Sequence, residues 1–404
     1  MNGSFEELGV SAALCARLAE KEIKKPALIQ KRVIPRLAKK ESMIFSSATG
    51  TGKTFAYLLP VLEDIAGQVK KPKNPLCVVV APTVELCSQI KQEADFLLAG
   101  TGLKTALLPG QAQMGRQIDT LAKEKPVLVT GNPGRLLALA KMNKLKFDSL
   151  LYLVLDEGDR LISGELIEET AALVSSIVKK RPIENTADGL KFISCSATFH
   201  RSKHEKLLSF LGDNAKEKIK FLETKENILK EQIEHWAFYS EEREKIEKLR
   251  SFISAVGKSK NSGKSGKILV FTARGRQIEN IVSKLGHYKI NTAGLWGKMD
   301  KKLRKQSLDD FRSGKLRMLV TSDLASRGLD IPDVDYIVSL DTDGEKDTYI
   351  HRAGRTARAG KKGYMVTFGN ENELRRLSVL EKKLAIIVYP KELFGGKIIT
   401  PKAD

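Results

Sequence analysis

The chain has 404 residues, 42% of them hydrophobic, enough for two or three packed domains rather than one. No apolar run approaches the roughly 20 residues of a membrane span, and the opening MNGSFEELGV lacks a signal peptide's charged and apolar regions, so a membrane protein is not expected. The net charge is +20, from 69 basic and 49 acidic residues; from Phe221 onward 36 basic face 25 acidic residues, a net of +11, which leaves +9 before it. An excess spread over both halves suits a polyanion held along the whole chain. The four cysteines, Cys15, Cys77, Cys87 and Cys195, lack close metal-ligand spacing and read as free thiols in a reducing, cytoplasmic setting.

In chain order, the first strong strand is SMIFSSA, and the residues at its end carry chemistry. Ser47, Ala48, Thr49, Gly50, Thr51 and Gly52 form a glycine-containing turn, and Lys53 and Thr54 open a helix with apolar residues at Phe55, Leu58, Leu59, Val61 and Leu62. Strand, glycine turn and helix cradle a phosphate, because backbone N–H groups and the helix N-terminus both attract an anion. Lys53 would reach the β/γ-phosphates of a nucleotide and the Thr54 hydroxyl would face Mg²⁺. The strict pattern wants glycine where this chain has Ser47.

Further strands in the first half are LCVVVAP, PVLVTGN, LLYLVLDE and KFISCSA; in the second half they are KILVFTA, LRMLVTSD, DYIVSLD and GYMVTFG. Near-continuous apolar strands alternating with helical stretches imply an α/β fold with parallel sheets covered on both faces, where ligands bind at the strands' carboxyl ends. The boundaries expected are 1–220 for a first domain, 221–232 for a charged linker, 233–388 for a second domain and 389–404 for a short tail. The stretch GKSKNSGKSGK, Gly257 to Lys267, reads as a flexible basic loop inside the second domain.

The strand LLYLVL ends in Asp156-Glu157-Gly158-Asp159, about a hundred residues after Lys53. A carboxylate pair at the end of a buried strand is costly unless it meets a cation. Asp156 is suited to hold Mg²⁺ through water, and Glu157 to orient and deprotonate an attacking water. Together with Lys53 and Thr54 the pair points to nucleoside triphosphate hydrolysis.

The remaining motifs fall in a fixed order: KPALIQ, PTVELCSQ, NPGRL, SAT, TSDLASRGLDIPDVDYIVSLD and YIHRAGRTARAG. In them the chain resembles the DEAD-box RNA helicases of helicase superfamily two, from Phe5 to about Phe368. The resemblance implies two tandem RecA-like domains, each a mainly parallel sheet flanked by helices. It implies that Gln30 reads adenine with Pro26 fixing the approach, and that Ser196 and Thr198 link the acidic pair to RNA-dependent closure. It further implies that Arg355 and Arg358 serve the γ-phosphate, that His351 couples them to the acidic motif, and that Gly328 and Asp330 meet the ribose. RNA contacts are implied at Pro82, Thr83, Gly134, Arg135, Thr321 and Ser322, through phosphates and 2′-hydroxyls without sequence readout.

The activity expected is ATP-dependent local unwinding of short RNA duplexes or remodelling of RNA–protein complexes by a monomer, with partners in ribonucleoprotein assembly. The alternatives are an ATP-regulated RNA clamp or scaffold, and a superfamily-two DNA helicase. The chain departs from the family at Glu22-Ile23 (usually Gly-Phe), Val84, Pro109 to Gln111, Asn132 and Gly158.

Overall fold

The computed structural model describes residues 3–48, 50–68, 73–197, 201–224, 228–258, 266–273, 275–297, 299–323, 331, 334–357 and 361–401. Five of the candidate site residues, Thr49, Thr198, Gly328, Asp330 and Arg358, lie outside these, as does most of the Gly257–Lys267 stretch. The chain divides into two compact units, Met1–Glu226 and Asn227–Asp404.

The first unit is built on β1 Ser42–Ser46, β2 Cys77–Val80, β3 Thr105–Leu108, β4 Leu128–Gly131, β5 Tyr152–Asp156, β6 Lys191–Ser196 and β7 Ile219–Glu223. All pair in parallel, in the order β3-β4-β2-β5-β6-β1-β7. The second unit repeats the plan with β8 Ile233–Tyr239, β9 Ile268–Phe271, β10 Thr292–Leu295, β11 Met318–Thr321, β12 Tyr336–Ser339, β13 Gly363–Gly369 and β14 Val388–Pro390, ordered β10-β11-β9-β12-β13-β8-β14. The two orders are the same when the first strand of each unit is matched. These are the mainly parallel, helix-flanked sheets expected of a RecA-like pair.

The central strands read as apolar runs because both faces are covered: every residue of β1, β2, β4, β5 and β6 is buried. The helices of this unit begin, in chain order, with α1 Ala12–Glu20, α2 Leu28–Ala38, α3 Lys53–Gln68, α4 Val84–Leu97, α5 Met114–Glu124, α6 Pro133–Lys141, α7 Gly158–Leu161 and α8 Ile167–Lys180. One face of the sheet packs α2 and α3 through Val33, Ile34, Leu58, Leu59 and Leu62. The other packs α6 Pro133–Lys141 and α8 Ile167–Lys180 through Leu136, Leu139, Leu173 and Ile177. Pro60 sits inside α3 without ending it.

The segments expected as linker and tail differ from that reading. β7 runs to Glu223 and pairs with β1, so the start of 221–232 is the edge strand of the first sheet. A short helix, Ile228–Glu231, then leads into β8. β7 is charged and largely exposed, Ile219 being its one buried residue, so as a sequence it reads as linker although it pairs at the sheet's edge. Of the expected tail, the described residues 389–401 are likewise structured: Tyr389 and Pro390 complete β14 on the sheet. A two-stranded hairpin, Glu392–Phe394 with Lys397–Ile399, packs Leu393 and Ile398 onto the second core.

Candidate active site

Register brings the chemistry together. β1 lies beside β6 and β6 beside β5, with Ser46 opposite Ser196 and Asp156 opposite Cys195. The turn after Ser46, the acidic pair and Ser196 therefore leave the same edge of the sheet.

In the turn, Gly50 and Gly52 adopt φ of +78° and +88°, the left-handed region that glycine enters without strain. The Lys53 ammonium donates to the carbonyls of Ser47 and Ala48, each at 2.7 Å. Burial pushes its pKa down, opposed by Cys195, Asp156, Glu157 and Asp159. Ser47, where the strict pattern has glycine, donates its hydroxyl to Thr51 Oγ1 at 2.8 Å, and Thr51 donates to the Ala48 carbonyl at 2.8 Å. The substitution thus adds a cross-turn bond.

Gln30 is buried, and both ends of its amide are engaged. Oε1 accepts from Ala27 N–H at 2.8 Å, starting α2, and Nε2 donates to the Gly52 carbonyl at 3.1 Å. A Cβ at Gly52 would lie 2.4 Å from Gln30 Nε2, so glycine is needed there for both φ and close approach. The residue expected at the adenine edge therefore also braces the phosphate turn. Pro26 is buried just before it.

Asp156 is 4% exposed, and burial pushes its carboxyl pKa up. Three donors hold the carboxylate: Tyr57 O–H on Oδ2 at 2.8 Å, Glu157 N–H on Oδ1 at 2.9 Å and the Cys195 thiol on Oδ1 at 3.1 Å. Burial raises the pKa of both the phenol and the thiol, so each remains a protonated donor. Sequence reasoning missed these two. Tyr57 stands four residues after Lys53, hence on the same helix face, but Cys195 is found only through strand register.

Glu157 has φ of +53°, a strained conformation for glutamate, and its carboxylate accepts from Arg160 at 2.9 Å. Among the described residues no cluster of three or more His, Cys, Asp or Glu could hold a metal. One carboxylate with the Thr54 hydroxyl nevertheless suits Mg²⁺, which keeps several waters and takes its remaining ligands from phosphates.

The expected RNA contacts sit at strand ends, each with a local partner. Thr83, after Pro82, caps α4 Val84–Leu97 by accepting from Leu86 N–H at 3.2 Å, which leaves its O–H to donate. Gly134 lies in the first turn of α6, where a Cβ would come within 2.5 Å of the carboxylate of the exposed Glu169, so a larger residue there would have to displace that side chain. Arg135 donates to Gln117 Oε1 at 3.0 Å and to the Gly110 carbonyl, gripping the Pro109 to Gln111 loop where the chain departs from the family.

In the second unit, Thr321 is fully buried and its hydroxyl donates to the Ser322 carbonyl at 3.2 Å, so Ser322 is the more accessible of the two. The helix Lys346–Ala353 carries His351 and Arg352, and Arg355 comes two residues after its end, 6% exposed. Arg352 fixes this helix by donating to Asp323 at 2.6 and 2.9 Å and to Asp341 and Ser339.

Residues 27–207 match the model of the DEAD/DEAH box helicases and 244–360 that of the helicase conserved C-terminal domain. The chain is 33% identical to the DEAD-box ATP-dependent RNA helicase CshC of Bacillus cereus, over 93% of this chain and 90% of that one. It is 30% identical to the probable ATP-dependent RNA helicase YfmL of Bacillus subtilis, over 93% of each. Among solved structures, Mss116p bound to ssRNA and AMP-PNP superposes with a TM-score of 0.83 at 25% identity, over 97% of this chain and 80% of that one. Dbp5 of S. cerevisiae, bound to RNA and ADP BeF3, gives 0.78 at 24% identity over 96% and 95%, a likeness of fold. With its tandem parallel sheets, phosphate turn and acidic strand end, the chain belongs to the DEAD-box ATP-dependent RNA helicase family.

Proposed function

We propose that the chain couples ATP hydrolysis to local separation of short RNA duplexes or remodelling of RNA–protein complexes. The observation that carries this reading is the half-buried Lys53 ammonium on two turn carbonyls, at the same strand ends as Asp156 and Glu157. Phosphate oxygens would replace those carbonyls as its acceptors. Mg²⁺, held by Thr54 and by Asp156 through water, would neutralise phosphate charge. Glu157 orients and deprotonates the attacking water, while Arg355 and Arg358 stabilise charge developing on the γ-phosphate. Gln30 and Pro26 receive the base, Gly328 and Asp330 the ribose, and Ser196, Thr198 and His351 couple RNA binding to hydrolysis.

Pro82, Thr83, Gly134, Arg135, Thr321 and Ser322 grip the RNA backbone. The names of the relatives and the ssRNA in Mss116p support RNA over DNA. A cytoplasmic monomer joining ribonucleoprotein assemblies fits free cysteines and the absence, among the described residues, of any helix long and apolar enough to cross a membrane.

The test is RNA-stimulated ATPase with Mg²⁺. Lys53→Ala should lose nucleotide binding or turnover, and Glu157→Gln should bind ATP without hydrolysing it. Wild-type-like turnover in Glu157→Gln would overturn the assignment. Log RNA affinity should fall linearly with log salt, without strong base preference.

A further inference from the structure

His235 is a polar residue in the apolar core of the second unit. It is 2% exposed on β8, opposite Met365 of β13 and Val388 of β14, with Ile233, Tyr349, Leu377, Leu380 and Ile386 in the same cluster. Its Nε2 lies 2.7 Å from the Leu229 carbonyl and its Nδ1 2.7 Å from the Tyr349 hydroxyl. The two rings stack at 5.8 Å between centroids and 25° between planes.

The chemistry allows one arrangement for a neutral ring. A carbonyl can only accept, so Nε2 carries the hydrogen; Nδ1 must then accept, and Tyr349 donates. Burial keeps the ring neutral by pushing its pKa down and keeps the phenol protonated by pushing its pKa far up. An aliphatic pair would fill this space at no desolvation cost, whereas a polar pair is tolerated only when each group satisfies the other. What the polar pair adds is a defined geometry.

That geometry joins two elements of consequence. Leu229 belongs to the short helix Ile228–Glu231, where the chain enters the second unit. Tyr349 lies on the helix Lys346–Ala353, three residues before Arg352 and six before Arg355. Arg352 anchors the end of that helix to Asp323 and Asp341, while Tyr349 anchors it one turn earlier to His235.

We propose that His235 is a positioning residue that, through Tyr349, ties the arginine-bearing helix to the entering chain and so sets where Arg355 stands. The proposal rests on the reading of Arg355 as an arginine serving the γ-phosphate. His235 belongs to none of the family's motifs in this chain.

The experiment measures RNA-stimulated ATPase of the full-length protein, splitting kcat from KM for ATP. Tyr349→Phe should lower kcat by roughly five- to tenfold, the worth of one neutral hydrogen bond, and His235→Leu, which loses two, by at least as much. KM should stay within about twofold, because the lysine and turn that hold the phosphates belong to the first unit. The double variant should fall no further than His235→Leu alone, since the bond that Tyr349→Phe removes is already broken there. His235→Gln, whose amide can donate to Leu229 and accept from Tyr349, should recover most of the lost kcat.

Arg355→Ala is measured alongside. Full turnover in Arg355→Ala would overturn the underlying reading. Loss there with an unchanged kcat in Tyr349→Phe, additive losses in the double variant, or no recovery in His235→Gln would overturn the link itself. Should His235→Leu fail to fold, Tyr349→Phe, which deletes one oxygen, decides the question.

Discussion

Replacing Gly158 with alanine would restore the four letters of the family's name, Asp-Glu-Ala-Asp, and should nevertheless harm this protein. A Cβ built on Gly158 lies 2.2 Å from Ser194 Oγ, far inside van der Waals contact, while the next nearest atoms, Ser194 Cβ and the Cys195 carbonyl, stand at 3.6 and 3.7 Å. Ser194 is 2% exposed in β6 and has little room to turn aside. Overpacking of this kind costs about 1–3 kcal/mol. Gly158 also begins a helical turn, where alanine gains roughly 0.5–1 kcal/mol over glycine. The difference leaves Gly158→Ala less stable by up to about 2.5 kcal/mol. For a unit of this size that is a drop of up to roughly 10 °C in Tm.

The assay is thermal unfolding of the full chain, reading the transition that an ATP analogue shifts. Ser194→Ala removes the clashing oxygen and leaves ordinary contacts, so the Gly158→Ala/Ser194→Ala double variant should return to the wild-type Tm or exceed it. Gly158→Ala alone at or above the wild-type Tm, or a double variant no better than the single one, would refute the packing argument.

Three other residues carry outcomes of their own. Glu22 stands at φ +59°, and Glu22→Gly, which restores the family's glycine, should raise stability by up to about 1 kcal/mol in urea titration. Tyr57→Phe removes a donor from the buried Asp156 carboxylate and should cost about 1.5–3 kcal/mol in the same assay. Lys191 is fully buried, donates to the Thr186 and Ala187 carbonyls, and has its pKa pushed down by burial to about 8 from the usual 10.5. The unfolded chain then binds more protons between those values, so the charge penalty is full below about pH 8 and is relieved as pH rises toward 10.5. Relative to Lys191→Met, the wild type should gain stability over that window, by up to a few kcal/mol, as followed by denaturant titration at stepped pH.

How much was legible in the sequence depended on where each residue's partners lie. The phosphate turn and acidic pair were readable because a buried parallel strand is an apolar run and its polar ending stands out, as in Tyr152–Asp156. Thr105–Leu108, Thr292–Leu295 and Ile233–Tyr239 were passed over: two are four residues long, and the third carries Glu234 and His235 among its apolar residues. Periodicity could not show that the Gln30 amide is already bound to the phosphate turn, or that Cys195 lies opposite Asp156.

Departures from the family pattern obey the same dependence. Ser47 in place of glycine is answered by Thr51, four residues away, so a helix-scale reading could have found it. Gly158 is answered by Ser194, 36 residues away on a neighbouring strand, and only register pairs them. Glu22 keeps the left-handed backbone that glycine would have supplied freely, so its strain must be offset elsewhere in the fold. A departure from a motif is therefore not itself a sign of lost function. Its meaning is set by the atom facing it, and at Gly158 that atom makes the unusual residue the fitting one.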